Sequence, residues 1–450
     1  MATLDKHKTR LIHIASVHFS YEEEMASTAL KLQIFMCTTP YGFDWCTSLT
    51  SSPQSVTTST MVKKRTLSPL PAFDQKALPV FLQKHDFKEL HALTIWRYLA
   101  QHPDATFADI PGIPKTLRTL LGEHFAHFTT SVTTEQRSAD GTVKLLLKLQ
   151  DGHEIEAVIM RHTGRNTLCV SSQVGCQMGC TFCATGTLGI IADLCSGEIL
   201  EQLAHANRVA PIRNVVFMGM GEPLNNYDAV LAAIRAMTKV FGLAPKYITL
   251  STVGVIHRIR QLSRDAPLVR LALSLHAPTQ EMRSVNDSIE TAHTLGKLLQ
   301  NRSVHVNLIP YNTTDVGAQF QSPSAEDIRA FHAVLREPYN LKATIRENHG
   351  TDIDGACGQL ALKNKPDGSR DIEDLGPRRT KAPRKTKKSS STSDNASVDA
   401  SPVATSTGSW LTRVNDFIDE YQQAIGFILL GASVAVLAIG IARRGRTHLS

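Results

Sequence analysis

Short apolar runs alternate with helix-length amphipathic segments from residue 167 to residue 311, and this alternation limits the fold more than any other feature of the chain. The runs have the length and composition of buried strands, and the segments that begin at Ser196, Asp228 and Ile256 have the period of surface helices. The runs are TLCVSS, NVVFMG, YITLSTVG, VRLALSL and HVNLIPY. Alternating strands and helices predict an α/β fold with a parallel sheet or barrel, whose functional side chains lie at the carboxyl ends of the strands.

A smaller unit precedes this region, from Phe73 to about Glu156. The stretch LPVFLQKHDFKELHALTIWRYLAQH has apolar residues at helical spacing, and PKTLRTLLGEHF predicts a second, short helix. GTVKLLLKLQDGHEIEAVIM alternates like two strands joined by a hairpin turn at Asp151-Gly152. The sequence therefore predicts a compact module of helices and a hairpin.

The two ends of the chain lack this pattern of packed elements. Residues 1–69 have no sustained period, and the Ser/Thr-rich run from Met25 is typical of a disordered leader and of an organelle transit peptide that begins at an internal methionine. Residues 363–423 combine a basic run with a Ser/Thr/Ala-rich linker and are predicted to be disordered. Residues 424–442 carry no charge and are followed by Arg443, which predicts a single membrane anchor. The alternative is a buried globular helix, which usually has only one apolar face.

The cysteines are few and clustered. Eight cysteines in 450 residues are too few for a secreted disulfide framework. Five lie between positions 169 and 195 and a sixth is Cys357, which indicates a reducing compartment and a role as ligand or redox group. Cys37 and Cys46 stand apart and are interpreted as bystanders, either small packing residues or tolerated thiols. The formal net charge of +7 favours anionic partners such as nucleic acid or a phospholipid surface.

Three of the cysteines share the octapeptide CQMGCTFC, residues 176–183. Thiolates at these spacings can reach one metal site from a single loop, and soft sulfur ligands suit an iron–sulfur cluster or zinc. A structural zinc ion takes four protein ligands, and no fourth Cys or His lies at a finger-like distance from Cys176, Cys180 and Cys183. In a four-iron cluster, three thiolates would leave one iron free for a substrate. From the spacing alone, zinc and an accidental grouping remain as alternatives.

The setting of the octapeptide is more specific than its spacing. It follows the first predicted barrel strand and has Phe182 before its last cysteine, and in this setting it resembles the signature of radical S-adenosylmethionine (SAM) enzymes. The motifs around it resemble, in order, those of the adenine-C2 methyltransferases of 23S rRNA and tRNA, the RlmN/Cfr type. They are TLCVSSQVGCQMGCTFCATG, GMGEPLNN, TLSTVG, LSLHAP, NLIPYN and DIDGACGQL. The resemblance extends from about Phe73 to Leu360 and implies a partial (β/α) radical-SAM barrel.

The resemblance implies which residues hold the cofactors. Cys176, Cys180 and Cys183 would ligate a [4Fe-4S] cluster, and its open iron would hold the amino and carboxylate groups of SAM. Electron transfer from the cluster would split the sulfonium bond and release a 5′-deoxyadenosyl radical. The matching SAM contacts are Gly221, Glu222, Ser251, Ser274, Leu275, His276 and Asn312. Taken singly each is a weak signal, because a strand-end serine is more often a backbone cap.

The resemblance also implies the catalytic residues. In the family, one SAM methylates a cysteine, the radical from a second SAM takes a hydrogen atom from that methyl group, and the carbon radical adds to adenine C2. Cys357 matches the methyl carrier, Cys169 the thiol that releases the product by forming a disulfide, and Glu156 the general base. From the residues alone, Cys169 is also compatible with a buried strand residue, which is the less favoured alternative.

The implied partners are rRNA, tRNA as a second substrate, and a reductant such as flavodoxin or ferredoxin. The chain is expected to be a monomer whose target adenine is flipped out of its helix. Basic residues such as Lys115 and Arg118 would bind RNA phosphates, although a solvated helix face explains their charges nearly as well. The alternatives are an inactive, membrane-tethered RNA-binding scaffold and an enzyme that methylates adenine C8.

One departure from the family lies where Ser284 runs straight into Val285. The family carries a further helix and barrel strand here, so at least one strand–helix unit, about 30 residues or more, is predicted to be absent. Loss of an interior strand would leave unpaired backbone groups beside the gap. Either the gene model skips an exon, which we favour because the candidate catalytic positions survive on both sides, or the product is misfolded or inactive.

The sequence predicts five parts. They are a disordered or transit-like leader (1–69), an RNA-binding accessory module (70–156), a radical-SAM core (157–362), a disordered linker (363–423) and a transmembrane anchor (424–442). The catalytic domain is expected in a reducing compartment, the cytoplasm or an organelle.

Overall fold

One mixed sheet of ten strands runs through the protein. The structure is a computed structural model, and it describes residues 9–10, 12–19, 65–180, 182–275, 286–312 and 320–363. The strands are β1 (Thr9–Arg10), β2 (Ile12–Phe19), β3 (Leu70–Pro71), β4 (Phe125–Ala126), β5 (Ser131–Arg137), β6 (Val143–Lys148), β7 (Glu154–His162), β8 (Arg165–Cys169), β9 (Gln173–Gly175), β10 (Ile190–Asp193), β11 (Asn214–Phe217), β12 (Ile248–Thr252), β13 (Arg270–Leu275), β14 (Val304–Pro310), β15 (Phe320–Gln321) and β16 (Lys342–Ile345). The helices are α1 (Ala77–Lys84), α2 (Leu90–Gln101), α3 (Lys115–His124), α4 (Ala184–Thr187), α5 (Ser196–Val209), α6 (Tyr227–Lys239), α7 (Ile256–Asp265), α8 (Ile289–Leu299), α9 (Ala325–Arg336) and α10 (Gln359–Lys363).

The predicted parallel strands form the centre of this sheet, whose order is β16-β14-β2-β13-β12-β11-β8-β7-β6-β5. The apolar runs form β8, β11, β12, β13 and β14, and the predicted helices are α5, α6 and α7. Strands β8, β11, β12 and β13 run parallel as neighbours, and β14 runs parallel to β16. The α/β prediction is confirmed, and the carboxyl ends of these strands lie along one edge of the sheet.

The predicted hairpin adds antiparallel strands to the same sheet. Strands β5, β6 and β7 pair in sequence, and β7 then pairs with β8. The register places Lys148 opposite Glu154, and the loop between β6 and β7 is centred on residues 150–152. Gly152 has a φ of 84°, which glycine adopts without strain. Because β7 spans residues 156 and 157, the sheet is continuous across the boundary predicted between the accessory module and the core.

The first predicted helical stretch forms two helices. Helices α1 and α2 are separated at Asp86, whose φ of 57° lies outside the range of an α-helix. Helix α3 confirms the second prediction. The apolar faces of the three helices bury Leu82, Leu99 and Leu121, as their helical spacing requires.

Strand β2, from the amino-terminal region, lies between β13 and β14 and is antiparallel to both. The register pairs Val17 with Leu273 on one side and with Val306 on the other. No regular element was predicted in residues 1–69, so the structure differs from the sequence prediction over residues 12–19. The physical reason is that β13 and β14 lie on either side of the predicted missing unit, and their facing N–H and C=O groups need partners.

The segment that fills this place has the composition of a strand. IHIASVHF contains three β-branched residues and one aromatic residue, which favour extended backbone. The pairing with β13 shifts register between Ala15 and Val17, and the pairing with β14 shifts register between Ile14 and Val17, as at a β-bulge. The junction of Ser284 and Val285 lies outside the described residues.

The described apolar side chains form two clusters. The larger contains the helical module, the hairpin and the strands from β8 to β12. The smaller contains Leu273 and Val306 from the two neighbours of β2, together with Leu295 of α8 and Phe331 of α9. The backbone of β2 therefore pairs with strands whose side chains form the smaller cluster.

The predicted linker lies outside the described residues except for Lys363, which ends α10. The predicted anchor and most of the leader also lie outside them. Among the described helices, none has both the length and the hydropathy that a bilayer crossing requires.

Candidate active site

The three cysteines of the octapeptide lie on one loop between β9 and α4. A Cβ on Gly175 would stand 1.9 Å from the carbonyl oxygen of Gly189, so only glycine permits this close approach. Across the same contact, the N–H of Cys176 donates to the carbonyl of Gly189 over 2.8 Å. The N–H of Cys183 donates to the carbonyl of Cys180 over 3.1 Å. These bonds hold the cysteines on a tight loop, and none of the three forms a disulfide bond.

The chemistry of these thiols suits an iron–sulfur cluster. Burial raises the pKa of Cys176 to about 11, so ligation has to displace a proton from its sulfur. Over the ranges that the structure describes, no three His, Cys, Asp or Glu side chains converge as ligands of a single metal ion. Cysteines that bind a four-iron cluster each hold a different iron, so their sulfur atoms lie farther apart than the ligands of one ion. Three soft donors on one loop fit the predicted cluster.

Glu222, the predicted contact for the SAM ammonium group, is buried after β11. Its Oε2 accepts the N–H of Val253 over 2.9 Å and its Oε1 that of Leu224 over 3.0 Å. Burial raises the pKa of this carboxyl group, and the two N–H donors oppose the shift. Gly221 has a φ of 98°, and a Cβ there would lie 2.6 Å from the side chain of Gln173. The carboxylate therefore joins the loops that follow β11 and β12.

The other predicted SAM contacts lie at neighbouring strand ends. The hydroxyl groups of Ser251 on β12 and Ser274 on β13 are hydrogen-bonded over 2.7 Å. Leu275 ends β13 and is buried, and Asn312 follows β14 and is half-buried. His276 lies outside the described residues. The structure thus joins the two serines and places Leu275 and Asn312 at the same edge of the sheet.

The three predicted catalytic residues meet at the hairpin side of the core. Glu156 lies on β7, Cys169 ends the neighbouring β8, and Cys357 lies two residues before α10. The N–H of Gly358 donates to Glu156 Oε2 over 2.6 Å, and the N–H of Ala361 donates to Oε1 over 2.8 Å. Burial raises the pKa of Cys169 to about 11. Burial also raises the pKa of Cys357 well above its usual value, and the nearby Glu156 and Cys169 add to this shift.

Thr185 links Cys357 to the loop of the cluster cysteines. Its Oγ1 donates to the carbonyl of Cys357 over 3.2 Å and lies 3.7 Å from the sulfur. A Cβ on Gly358 would be 2.4 Å from the same oxygen, so the backbone approaches Thr185 closely. Since Thr185 follows Cys183 by two residues, Cys357 lies beside the cysteine loop.

Lys144 belongs to this site, and the sequence analysis did not select it. Its Nζ lies 2.8 Å from Oε2 of Glu156, and it also donates to the carbonyls of Asp354 and Ala356. The available signal was a lysine in VKLLLK, a strand too apolar to have a solvated face. In the structure every residue of this strand except Lys148 is buried.

The basic residues of the accessory module differ in exposure. Lys115 is exposed at the start of α3, and Arg118 is half-buried one turn later. The Nε atom of Arg118 is buried without a hydrogen-bond partner among the described residues. The charge of Lys115 is therefore accessible to an anion.

Comparison with known proteins identifies the class that this fold and site define. The model of the radical SAM superfamily matches residues 170–303, which include the cysteine loop. The chain is similar to a crystal structure of a radical SAM methyltransferase from Sphaerobacter thermophilus, with a TM-score of 0.60 and 33% identity over 65% of this chain and 99% of that one. The protein is therefore a radical-SAM enzyme whose fold is similar to that of a radical SAM methyltransferase.

Curated relatives define the family. The chain is 39% identical over 330 residues to dual-specificity RNA methyltransferase RlmN 1 of Myxococcus xanthus, covering 63% of this chain and 91% of the relative. It is 35% identical over 328 residues to a probable dual-specificity RNA methyltransferase RlmN of Geobacillus kaustophilus, covering 63% and 89%. The chain belongs to the RlmN family of radical-SAM RNA methyltransferases.

Proposed function

We propose that this enzyme methylates C2 of adenine in rRNA, and in tRNA as a second substrate, with Cys357 as the methyl carrier. The proposal rests on one observation: Cys357, remote in sequence from Glu156 and Cys169, lies together with them beside the cysteine loop. The relatives named as dual-specificity RNA methyltransferases support an RNA substrate and a second RNA class.

The family and the donor groups support the cofactors of this proposal. Cys176, Cys180 and Cys183 would hold a [4Fe-4S] cluster, while Glu222 and the strand-end groups would hold SAM, two molecules of which are used per turnover. When bound, the cluster supplies the single electron that cleaves SAM. A protein reductant such as flavodoxin or ferredoxin delivers that electron.

Cys357 receives the methyl group and passes it on. Its thiol loses a proton as the sulfur takes a methyl group from one SAM, which leaves as S-adenosylhomocysteine. Removal of a hydrogen atom from the S-methyl group, by the nucleoside fragment of a second SAM, leaves a carbon radical on Cys357. That radical adds to adenine C2 and forms the new carbon–carbon bond, for which the base has to leave its stack.

Glu156 and Cys169 complete the reaction. The adduct gives up one electron, which balances the electron used to cleave SAM, and Glu156 takes the proton from C2. The thiolate of Cys169 then attacks the sulfur of Cys357 and breaks its bond to carbon, which takes a proton and becomes the product methyl group. The two cysteines are left as a disulfide, and a dithiol reductant returns them to thiols with two electrons.

The location of the enzyme is the part of the proposal that rests on sequence alone. The uncharged segment 424–442 anchors the chain in a membrane, and the linker 363–423 separates it from the catalytic domain. The catalytic domain lies in a reducing compartment and acts as a monomer. Lys115 and Arg118 of the accessory module contact RNA phosphates.

Anaerobic reconstitution tests the reaction. The enzyme is loaded with iron and sulfide and given SAM, a reductant and rRNA or tRNA; nucleosides and tryptic peptides are then analysed by mass spectrometry. We expect 2-methyladenosine in RNA and an S-methyl group on Cys357. Cys357→Ala should abolish both products. A matched control is Cys195→Ser, which changes a half-buried cysteine at the start of α5 and keeps a good capping residue.

The contrary outcomes are distinct. If 8-methyladenosine is formed, the enzyme acts at the other adenine carbon. RNA binding without SAM cleavage would identify an inactive scaffold. Product formation by Cys357→Ala would exclude the proposed carrier.

A further inference from the structure

Lys144 and Glu156 form an ion pair that is removed from solvent. Their side chains are 0% and 1% exposed. Leu146 pairs with Glu156 across β6 and β7, so Lys144 is a diagonal neighbour of Glu156 on the same face. Taking two charges out of water is costly, and such a pair persists only when further hydrogen bonds satisfy both ions.

The further bonds of Lys144 go to the backbone that precedes Cys357. Its ammonium group donates to the carbonyl of Ala356 over 2.7 Å and to the carbonyl of Asp354. Ala356 is adjacent to Cys357, and Asp354 lies two residues before Ala356. Lys144 therefore fixes the approach of the chain to the methyl carrier.

The further bonds of Glu156 go to the backbone that follows Cys357. Gly358 and Ala361 donate their N–H groups to its two carboxylate oxygens. The ion pair thus holds the chain on both sides of Cys357, while Thr185 binds the carbonyl of Cys357 itself. The backbone on both sides of this cysteine is thus hydrogen-bonded to one buried pair of charges.

The neighbouring hairpin of β5 and β6 holds the same loop farther upstream, at residues 350 and 352. The contacts run from the turn between β5 and β6 to the chain between β16 and α10. They join Asp140 Oδ2 to the N–H of Gly350 (3.0 Å), the N–H of Ala139 to Asp352 Oδ2 (2.9 Å), and the hydroxyl of Ser138 to the carboxylate of Asp352.

We propose that Lys144 is a positioning residue for the methyl carrier: through Glu156 and the carbonyls of Asp354 and Ala356, it holds the thioether of Cys357 in line for hydrogen abstraction. This inference rests on the proposed function of Cys357. A radical generated beside a displaced thioether takes hydrogen from another donor, so SAM is cleaved without methylation of RNA. A small displacement of reacting atoms is enough for a large loss of rate.

The test measures how tightly SAM cleavage is coupled to RNA methylation, and not the rate of methylation alone. Wild-type enzyme should form equal amounts of 5′-deoxyadenosine and methylated adenosine. In Lys144→Met we expect the ratio of 5′-deoxyadenosine to methylated adenosine to rise about tenfold. Lys144→Arg should restore much of the coupling, because it keeps the charge and the hydrogen-bond donors. The matched control is Lys148→Met at the exposed end of the same strand, which should keep the wild-type ratio.

A second variant covers the case in which Lys144→Met does not fold. Ser138→Ala removes one contact of the loop and leaves the buried ion pair intact, and it should raise the ratio by about two- to threefold. Cluster absorbance, SAM affinity and melting temperature are recorded for every variant.

Two failures are separable. Wild-type enzyme without S-methyl-Cys357 overturns the proposed function. A different result overturns the positioning role alone. In that result the wild-type enzyme carries S-methyl-Cys357, and the variants at Lys144 and Ser138 lose 5′-deoxyadenosine and methylated adenosine in parallel, at an unchanged ratio.

Discussion

Cys169 and Cys357 lie in surroundings that favour the protonated thiol. Burial is the largest cause of the raised pKa for both thiols, Glu156 adds to it for both, and Cys169 adds to it for Cys357. A nucleophilic or methyl-accepting sulfur has to lose its proton, so each proposed step needs a nearby base or cation. Lys144 lowers the pKa of both thiols, although less than burial raises it.

The pH dependence of alkylation measures how far burial raises the pKa of Cys169. With a pKa of about 11, Cys169 should carry at pH 8 on the order of a hundredth of the thiolate of an unfolded-chain cysteine. We expect its iodoacetamide labelling rate, followed by peptide mass spectrometry, to keep rising to about pH 11, whereas in urea-unfolded protein the rate should level off near pH 9. A folded-state profile that levels off near pH 9 would show that Cys169 is not held in an apolar environment.

At the residue scale, the sequence identified candidates but not their contacts. Glu156, Cys169 and Cys357 were found through ordered motifs, and their proximity depends on long-range folding. Glu222 was selected for the SAM ammonium group, yet its carboxylate also binds two backbone N–H groups. Lys144 was missed because a single strand does not reveal which charge lies on the next one.

At the scale of elements, the meeting of Lys144 and Glu156 depends on the length of one turn. A two-residue Asp151-Gly152 turn, as the sequence suggested, would shift the pairing by one residue and turn the two side chains to opposite faces. The observed loop has one more residue, and Leu146 lies opposite Glu156. Sequence patterns predict that a hairpin exists more reliably than they predict its register, because several loop lengths join similar strands.

Gly152 offers a direct test of this turn. Its φ is 84° and a Cβ there would touch nothing, so Gly152→Ala introduces backbone strain without a clash. We expect the variant to lose about 1 kcal/mol of unfolding free energy in urea denaturation. Gly122→Ala is the matched control, since Gly122 lies in α3 and a Cβ there also touches nothing. That variant should gain about 0.5 to 1 kcal/mol. Equal signs for the two variants would refute the left-handed conformation at Gly152.

At the scale of the whole molecule, β2 is the feature that the sequence did not predict. The α/β pattern and the strands from β8 to β14 were predictable because each buried strand has a local apolar signature. The position of β2 was not predictable from its local sequence. The gap that it fills is created by the neighbouring strands β13 and β14, and not by the eight residues of β2. The predicted missing unit and the observed β2 therefore concern the same structural feature, namely which strand pairs with the facing edges of β13 and β14.

Removal of β2 tests its contribution. A chain that starts at Met25 lacks both ladders, and we expect the amides of Leu273 and Val306 to lose hydrogen-exchange protection. Deletion of residues 1–8 is the matched control, because it keeps β1 and β2 and should leave that protection unchanged. Equal protection in the two truncated proteins would show that β13 and β14 do not depend on the amino-terminal strand.

The direction of β2 has a consequence for the amino terminus. Ile12 pairs with Pro310 and Ile14 pairs with Leu275, which are the last residues of β14 and β13. A parallel strand between β13 and β14 would have its carboxyl end at the edge where β13 and β14 end. The antiparallel β2 has its amino end there instead. Ile12, the first residue of β2, therefore enters the sheet at the edge that carries Ser274 and Leu275, two of the predicted SAM contacts.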